Sequence, residues 1–256
     1  MKNRDNTIFG IHPILEALNS ELVIDKLFIQ KESSNPKIQE IETICETSDV
    51  TINYVPIEKL NWLTKGNHHG VVAITSPIPF HSLEGLIEKI IQEKENTLFL
   101  ILDQLSDVRN FGAIIRTAEC TGVDAIIIQK KGGAPVTGDT IKTSAGAIFK
   151  IPICKVDHIK DAIFYLKASD IITIAATEKA NETIYDLSLN KPLAVIMGSE
   201  GKGVSKSVLN IADHKAALPL LGEINSLNVS VACGALLYEV LRQRNLYIIL
   251  PFWFFF

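Results

Sequence analysis

Apolar residues along this chain fall into two recurring patterns. Short continuous or alternating runs exchange with stretches in which they return every three or four positions, as strands exchange with helices. Ile11 to Leu18 reads as a short helix and Leu27-Phe28-Ile29 as a strand. Pro36 opens a helix, where its missing N–H costs nothing, and Ile38, Ile41, Ile44 and Cys45 follow at helical spacing. Ile52 to Val55 and Gly70 to Ile74 read as strands, so residues 7–75 form a small α/β unit. Ser76-Pro77-Ile78-Pro79 then favours an extended link. Ser82 is expected to cap a helix with Leu83, Leu86, Ile87, Ile90 and Ile91 on one face.

From Leu98 the alternation resumes with more apolar strands. Leu98 to Leu102 and Leu193 to Met197 are unbroken apolar runs, expected for strands buried on both faces. Between and after them come a helix from Phe111 to Thr121, strands at Ala125–Ile128 and Ile151–Ile153, a helix from Asp157 to Ala168, and a strand at Ile171–Ala175. A last strand at Ala216–Pro219 and a closing helix at Val229–Arg242 complete the pattern. It predicts a mainly parallel sheet with helices on both faces, and ligands at the carboxyl ends of the strands. The division expected is 1–75, a link and helix at 76–96, a main domain at 97–245 and an apolar tail at 246–256.

That tail, Leu246 to Phe256, is almost wholly apolar but shorter than the roughly 20 residues a helix needs to cross a bilayer. It reads as a segment that packs on a partner, as a translation artefact, or as a membrane-surface anchor. The start, Met1 to Asn6, is polar and lacks the apolar stretch of a secretory signal. Cys45, Cys120, Cys154 and Cys233 are far apart and form no C-x-x-C pair, which argues for reduced thiols in a cytoplasmic protein and against a disulfide scaffold or zinc site. The net charge of −4 argues against a protein that merely coats nucleic acid, but leaves room for a local basic face.

Three polar clusters follow predicted strands. Asp103 to Ala118 runs from a strand through a polar loop into a helix, and includes Asn110 and Arg116. By itself it could be no more than a helix capped by Asp107 or Asn110, with Arg116 on its surface. Gly198-Ser199-Glu200-Gly201-Lys202-Gly203 follows the second buried strand. It is no phosphate loop, because Val204 stands where the lysine belongs, and no dinucleotide loop, because Gly201-Lys202-Gly203 leads into Val204-Ser205-Lys206. Leu218 to Ala232 leads into the closing helix, with Asn228 as a candidate N-cap.

Taken together, the clusters resemble the three motifs of the SpoU (TrmH) family of RNA ribose methyltransferases, of the SPOUT class. The first motif is Asn110, Gly112 and Arg116-Thr117-Ala118. The second is Gly198 to Gly203 with Glu200. The third runs from Pro219 through Ser226-Leu227-Asn228-Val229-Ser230 to Ala232. Val108-Arg109 stands where many members have Asp-Pro, which affects the stiffness of the loop more than its chemistry. The start of the chain, with Ile8 to Ile14 and His68-His69-Gly70, resembles the family's small L30e-like ribosomal-protein-type RNA-binding domain; His68 and His69 could touch RNA or simply turn the chain into a strand.

The resemblance implies an α/β fold whose parallel sheet ends in a deep trefoil knot, a homodimer, S-adenosylmethionine as cofactor, and no metal. It implies methylation of a ribose 2′-hydroxyl, most like the bacterial enzymes acting on a guanosine of 23S rRNA, with tRNA as the alternative target. Cofactor contacts are expected at Gly198, Leu218, Leu227, Thr177 and Leu220. Catalytic roles are expected for Asn110, Arg116, Glu200, Ser226 and Asn228, with Asn110 and Asn228 holding Arg116 and the ribose. Lys130, Lys131, Lys142 and Lys150 are candidates for the RNA-facing basic surface. A Rossmann-like enzyme would rest on the glycine loop alone. A non-catalytic RNA-binding relative would be expected to have lost Asn110, Arg116 or the Ser226-Leu227-Asn228 triplet.

Overall fold

The computed structural model describes residues 6–20, 22–33, 35–48 and 50–244; the apolar tail lies outside the described residues. The chain divides into two compact units, the first ending at Pro79 and the second holding most of the chain from Phe80 onward.

The first unit contains β1 (Thr7–Phe9), α1 (Ile11–Leu18), β2 (Ile24–Gln30), α2 (Pro36–Thr47), β3 (Ile52–Val55), α3 (Ile57–Leu63) and β4 (Val71–Thr75). Its sheet has the order β1-β4-β2-β3, with β2 and β3 parallel and the other pairs antiparallel. The two-residue period of the strands sorts their side chains to opposite faces. Leu27, Ile29, Val71 and Ala73 pack with Ile14 of α1 and Ile38 and Ile41 of α2. Val72 and Ile74 pack with Leu60 and Leu63 of α3. Pro36 opens α2 as expected, and Asn35 caps it by accepting from the Lys37 amide at 3.0 Å. The hydrophobic pattern did not announce α3, because it is short and leaves Ile57 and Trp62 exposed.

The second unit contains α4 (Leu83–Glu93), β5 (Leu98–Leu102), α5 (Val108–Cys120), β6 (Ala125–Gln129), α6 (Gly138–Thr143), β7 (Ile153–Val156), α7 (Ile159–Ala168), β8 (Ile172–Ala176), β9 (Glu182–Thr183), β10 (Leu193–Met197), α8 (Lys206–Leu209), β11 (His214–Ala217) and α9 (Val229–Gln243). Its seven strands are all parallel, in the order β7-β6-β5-β10-β8-β11-β9. Phe99, Ile101, Ile127, Ala194 and Ile196 face α4, α7 and α8. The intervening residues Leu98, Leu100, Leu102, Ile126, Ile128, Val195 and Met197 are buried as well, so both faces are covered. That double burial is why β5 and β10 are uninterrupted apolar runs. On the other side α5 and α9 pack together, with α9 against β10.

Several boundaries differ from the sequence reading for local reasons. Helix α5 begins three residues earlier than expected, because Asp107 Oδ1 accepts from the Asn110 amide at 2.8 Å and caps the helix there. Strand β7 starts only at Ile153, since Pro152 has no N–H to donate. Strand β11 lies two residues earlier than the apolar window, its register with β8 pairing His214 with Ile174. Ser82 sits at the N-cap of α4, but its hydroxyl caps nothing, and Ile91 is exposed rather than on the inner face.

The end of α9 is fixed by Gln243, which accepts from the Leu189 amide at 3.0 Å and donates to the Leu187 carbonyl at 3.1 Å, and by Arg244. Arg244 donates to the carbonyls of Leu189 (3.2 Å), Asn96 (2.8 Å), Thr97 (3.1 Å) and Lys191 (2.7 Å). It thus ties the helix to the segments entering β5 and β10, and burial pushes its pKa below the ordinary arginine value. We expect Arg244→Ala to lower unfolding stability by about 3 kcal/mol in a urea titration, since it strands several carbonyls that accept from a charged donor. Arg244→Lys should recover only part, because an ammonium lacks the planar fork. Unchanged stability for the alanine variant would refute the clamp.

Candidate active site

Strands β5, β10, β8 and β11 are neighbours and end on the same side of the sheet, so the loops after them converge. In the β10 loop a side chain at Gly198 would overlap the carbonyl carbon of Gly203 and the amide of Val204, so only glycine fits. Ser199 and Gly203 exchange backbone bonds, N to O at 3.2 and 2.9 Å, closing a tight turn that leaves Glu200 at its tip. Gly201 and Gly203 have φ of +85° and +66°, which glycine adopts freely. The far side of the turn is held by Asp103 at the end of β5, whose buried carboxylate accepts from the Ser205 amide at 2.7 Å.

Glu200 meets residues from the starts of two helices, α5 and α9. Asn110 Nδ2 donates to Glu200 Oε2 at 3.0 Å, and Asn228 Nδ2 donates to Asn110 Oδ1 at 3.0 Å and to Glu200 Oε1 at 3.4 Å. Asn228 also caps α9, its Oδ1 accepting from the Ser230 amide at 3.0 Å and the Ser230 hydroxyl at 2.6 Å. The capping reading and the site reading of this residue therefore coexist. Asn110 is free for the cluster because Asp107 performs the capping of α5.

The segments after β8, β10 and β11, with the start of α9, line a cavity of about 690 Å³. Its lining includes Gly198, Leu218, Leu227, Thr177 and Leu220, all the candidate cofactor residues, together with Glu200, Ser226 and Asn228. Arg116 is absent from the lining. It is exposed on α5, almost two turns beyond Asn110, and no hydrogen bond or ion pair joins it to Asn110, Asn228 or any other described residue. The expectation that the two asparagines hold Arg116 does not hold within one chain; they hold each other and Glu200. Of the candidate basic residues, Lys130 pairs with Asp157 at 3.5 Å and Lys150 with Glu119 at 3.6 Å, while Lys131 and Lys142 are exposed.

Residues 97–238 match the SpoU rRNA Methylase family, and residues 7–81 match the RNA 2′-O ribose methyltransferase substrate-binding family. The chain belongs to the SpoU family. It is 34% identical to YacO of Bacillus subtilis, which is assigned to the TrmH family of tRNA/rRNA methyltransferases, over 96% of this chain and 98% of that one. Among solved structures it is similar to the SpoU methyltransferase AviRb of Streptomyces viridochromogenes in complex with AdoMet, at a TM-score of 0.60 and 22% identity, covering 93% and 90% of the two chains. It is also similar to the A. aeolicus TrmH/SpoU tRNA modifying enzyme, at a TM-score of 0.54 and 29% identity, covering 63% and 84%.

Within this SpoU domain, sequence reasoning gave no role to Asp103, nor to Glu178, Lys179 and Lys202 of the cavity lining. Asp103 had a signal available: an aspartate directly after an unbroken apolar strand, and buried with it. Residues 178, 179 and 202 had none, since exposed loop residues follow no period.

Substitution of Asn228 separates its two tasks. Asn228→Ala removes both the cap and the tie, and should cost about 1–3 kcal/mol of stability. Asn228→Asp keeps a good cap but turns a carboxylate toward Glu200, so it should still melt below the parent chain. Melting of the aspartate variant at the parent temperature would show that the tie contributes nothing.

Proposed function

We propose that this chain transfers a methyl group from S-adenosylmethionine to a ribose 2′-hydroxyl of RNA, with a guanosine of 23S rRNA as the target. The observation that carries this reading is the cavity at the ends of β10, β8 and β11, lined by Gly198 and the apolar Leu218, Leu220 and Leu227 with Glu200 and Asn228. Its volume suits a nucleoside-sized ligand. The leucines, with Met197 and Val229, offer an apolar surface for a planar base, and Thr177 and Ser226 offer hydroxyls for polar groups. Gly198, by admitting the Gly203–Val204 backbone, lets the β10 loop fold into the turn that forms one wall of the cavity.

When bound, the cofactor supplies a methyl group activated on a sulfonium. A protonated 2′-hydroxyl is a weak nucleophile, so the protein must orient it and offset the charge that develops as its proton leaves. Arg116 suits that role by positioning a phosphate and stabilising negative charge; a guanidinium has donors and no acceptor, so it is no practical base. Asn110 spends one Nδ2 proton on Glu200 and keeps a second for a ribose oxygen. Glu200 acts by positioning, fixing both asparagine amides, and Ser226 has an exposed hydroxyl to donate to the substrate.

The position of Arg116 favours a homodimer in which a second copy completes the site. Val231, Ala235 and Tyr238 form an exposed stripe at i, i+4 and i+7 on α9, the helix that packs on α5 and so lies beside Arg116. The trefoil knot belongs to the same proposal and is supported by the insertion of β10 between β5 and β8. So does the L30e-like RNA-binding role of residues 1–75, joined through 76–96 to a catalytic domain at 97–245, in a cytoplasmic enzyme. Among the described residues no helix is long and apolar enough to cross a membrane. A tRNA target is the second reading, favoured by the likeness to a tRNA modifying enzyme.

Labelled S-adenosylmethionine, offered with total rRNA and tRNA from a strain lacking the gene, tests the reading. Label at a 2′-oxygen of 23S rRNA is the expected outcome; label in tRNA would change the target and keep the chemistry. No cofactor binding would refute the proposal. Arg116→Ala should abolish transfer, a loss on the order of 100-fold or more, while leaving cofactor binding by calorimetry near the parent value. Equal loss of both would overturn the role given to Arg116.

A further inference from the structure

Helix α3 already meets its packing needs with Leu60 and Leu63, which are buried against the sheet of the first unit. Trp62 lies on its outer side with 54% of its surface exposed, and Lys59, one turn earlier, holds its ammonium 4.3 Å from the centre of the indole.

The segment after α3 is pinned to the helix. His68 is buried; its Nδ1 accepts from the Gly70 amide at 3.1 Å, so its Nε2 carries the proton and donates to Asn61 Oδ1 at 3.0 Å. Burial and the neighbouring His69 hold its pKa below the ordinary histidine value, as this neutral ring requires. His68 is therefore the turn-forming residue of the pair. The bond to Asn61 sets the turn alongside α3, where Lys65 and His69 are exposed, His69 with a φ of +47°. Glu58 is the one acid on α3.

We infer that Lys59, Trp62 and Lys65 form a contact for unpaired nucleotides of the RNA, Trp62 stacking on a base while the two lysines face backbone phosphates. The inference rests on the RNA methyltransferase reading above and adds the kind of RNA that the first unit holds. An indole can stack on any base, but only where the base is out of a duplex, and a cation beside it suits the adjoining phosphate. The site therefore selects single-stranded loops or bulges rather than a sequence.

The test uses the full chain, a labelled 20-nucleotide single-stranded RNA of mixed sequence and the same sequence as a duplex. Trp62→Ala should weaken single-strand binding at least about fivefold and duplex binding much less, while Trp62→Phe, which keeps a stacking face, should retain most of the affinity. The melting temperature and the S-adenosylmethionine titration of both variants should match the parent. Unchanged single-strand affinity in the alanine variant, or an equal loss for strand and duplex, would overturn the inference even where the parent chain methylates RNA. Failure of the underlying reading appears elsewhere, as a parent chain that neither binds the cofactor nor transfers a methyl group, and this inference would fall with it.

Discussion

Glu200 sits at the tip of a glycine turn and accepts hydrogen bonds from Asn110, in the first turn of α5, and from Asn228, at the N-cap of α9. The site depends on this tie, because nothing in a parallel sheet fixes the loops at its carboxyl ends to one another. The strands deliver loops to the same place, and β10, lying between β5 and β8, delivers its loop to the middle. The orientation of Glu200 is then set by backbone: by the Ser199–Gly203 turn, by the side-chain-free approach at Gly198, and by Asp103 holding Ser205 on the far side. Each hydrogen bond of the cluster is worth about 1 kcal/mol in a solvent-exposed setting, which is little against a whole fold. Its contribution is geometric. A ligand that covers the cluster would lower the local dielectric and strengthen the same bonds, so an open site and a rigid closed one need no new contacts.

The sequence made most of this arrangement legible, but in pieces. Buried strands announce themselves when both faces are covered, and Leu98–Leu102 and Leu193–Met197 could be read to the residue. Helix α1 and strand β3 were equally plain. What escaped was structure without a period. The two-residue β9 carries no pattern, and α6 and α8 are too short to show one. Strand β11 was placed late because its first two residues, His214 and Lys215, are exposed and polar. The cluster residues were legible as a set only through their likeness to the SpoU motifs. Taken one at a time, Asn228 is an N-cap and Asn110 a polar residue near a helix start, and the bonds of Asn228 show that such a local reading can be true and incomplete together.

Arg116 marks the limit of reasoning from one chain. Its spacing from Asn110 invites the thought that a motif works as a unit, yet six residues on a helix turn a side chain well away from its partner. Arg116 thus stands apart from the cavity, on a helix that packs against α9, and α9 carries an exposed stripe of Val231, Ala235 and Tyr238. Burying that stripe against a second copy would answer two needs at once, removing apolar surface from water and bringing an arginine to a site that lacks one.

This arrangement also explains how an enzyme for a polyanion can carry a net charge of −4. Affinity for RNA need not come from a basic coat when cations are set at particular places and neutral groups do the rest. Among the described residues Arg116 has no hydrogen bond or ion pair, Lys131 and Lys142 are exposed, and Lys179 and Lys202 line the cavity. Many of the acids are engaged elsewhere: Asp213 with Lys167, Asp124 with Lys94, and Glu239 with Arg242. A modest phosphate contribution weakens non-specific binding, and that favours an enzyme that must release each RNA after one methyl transfer.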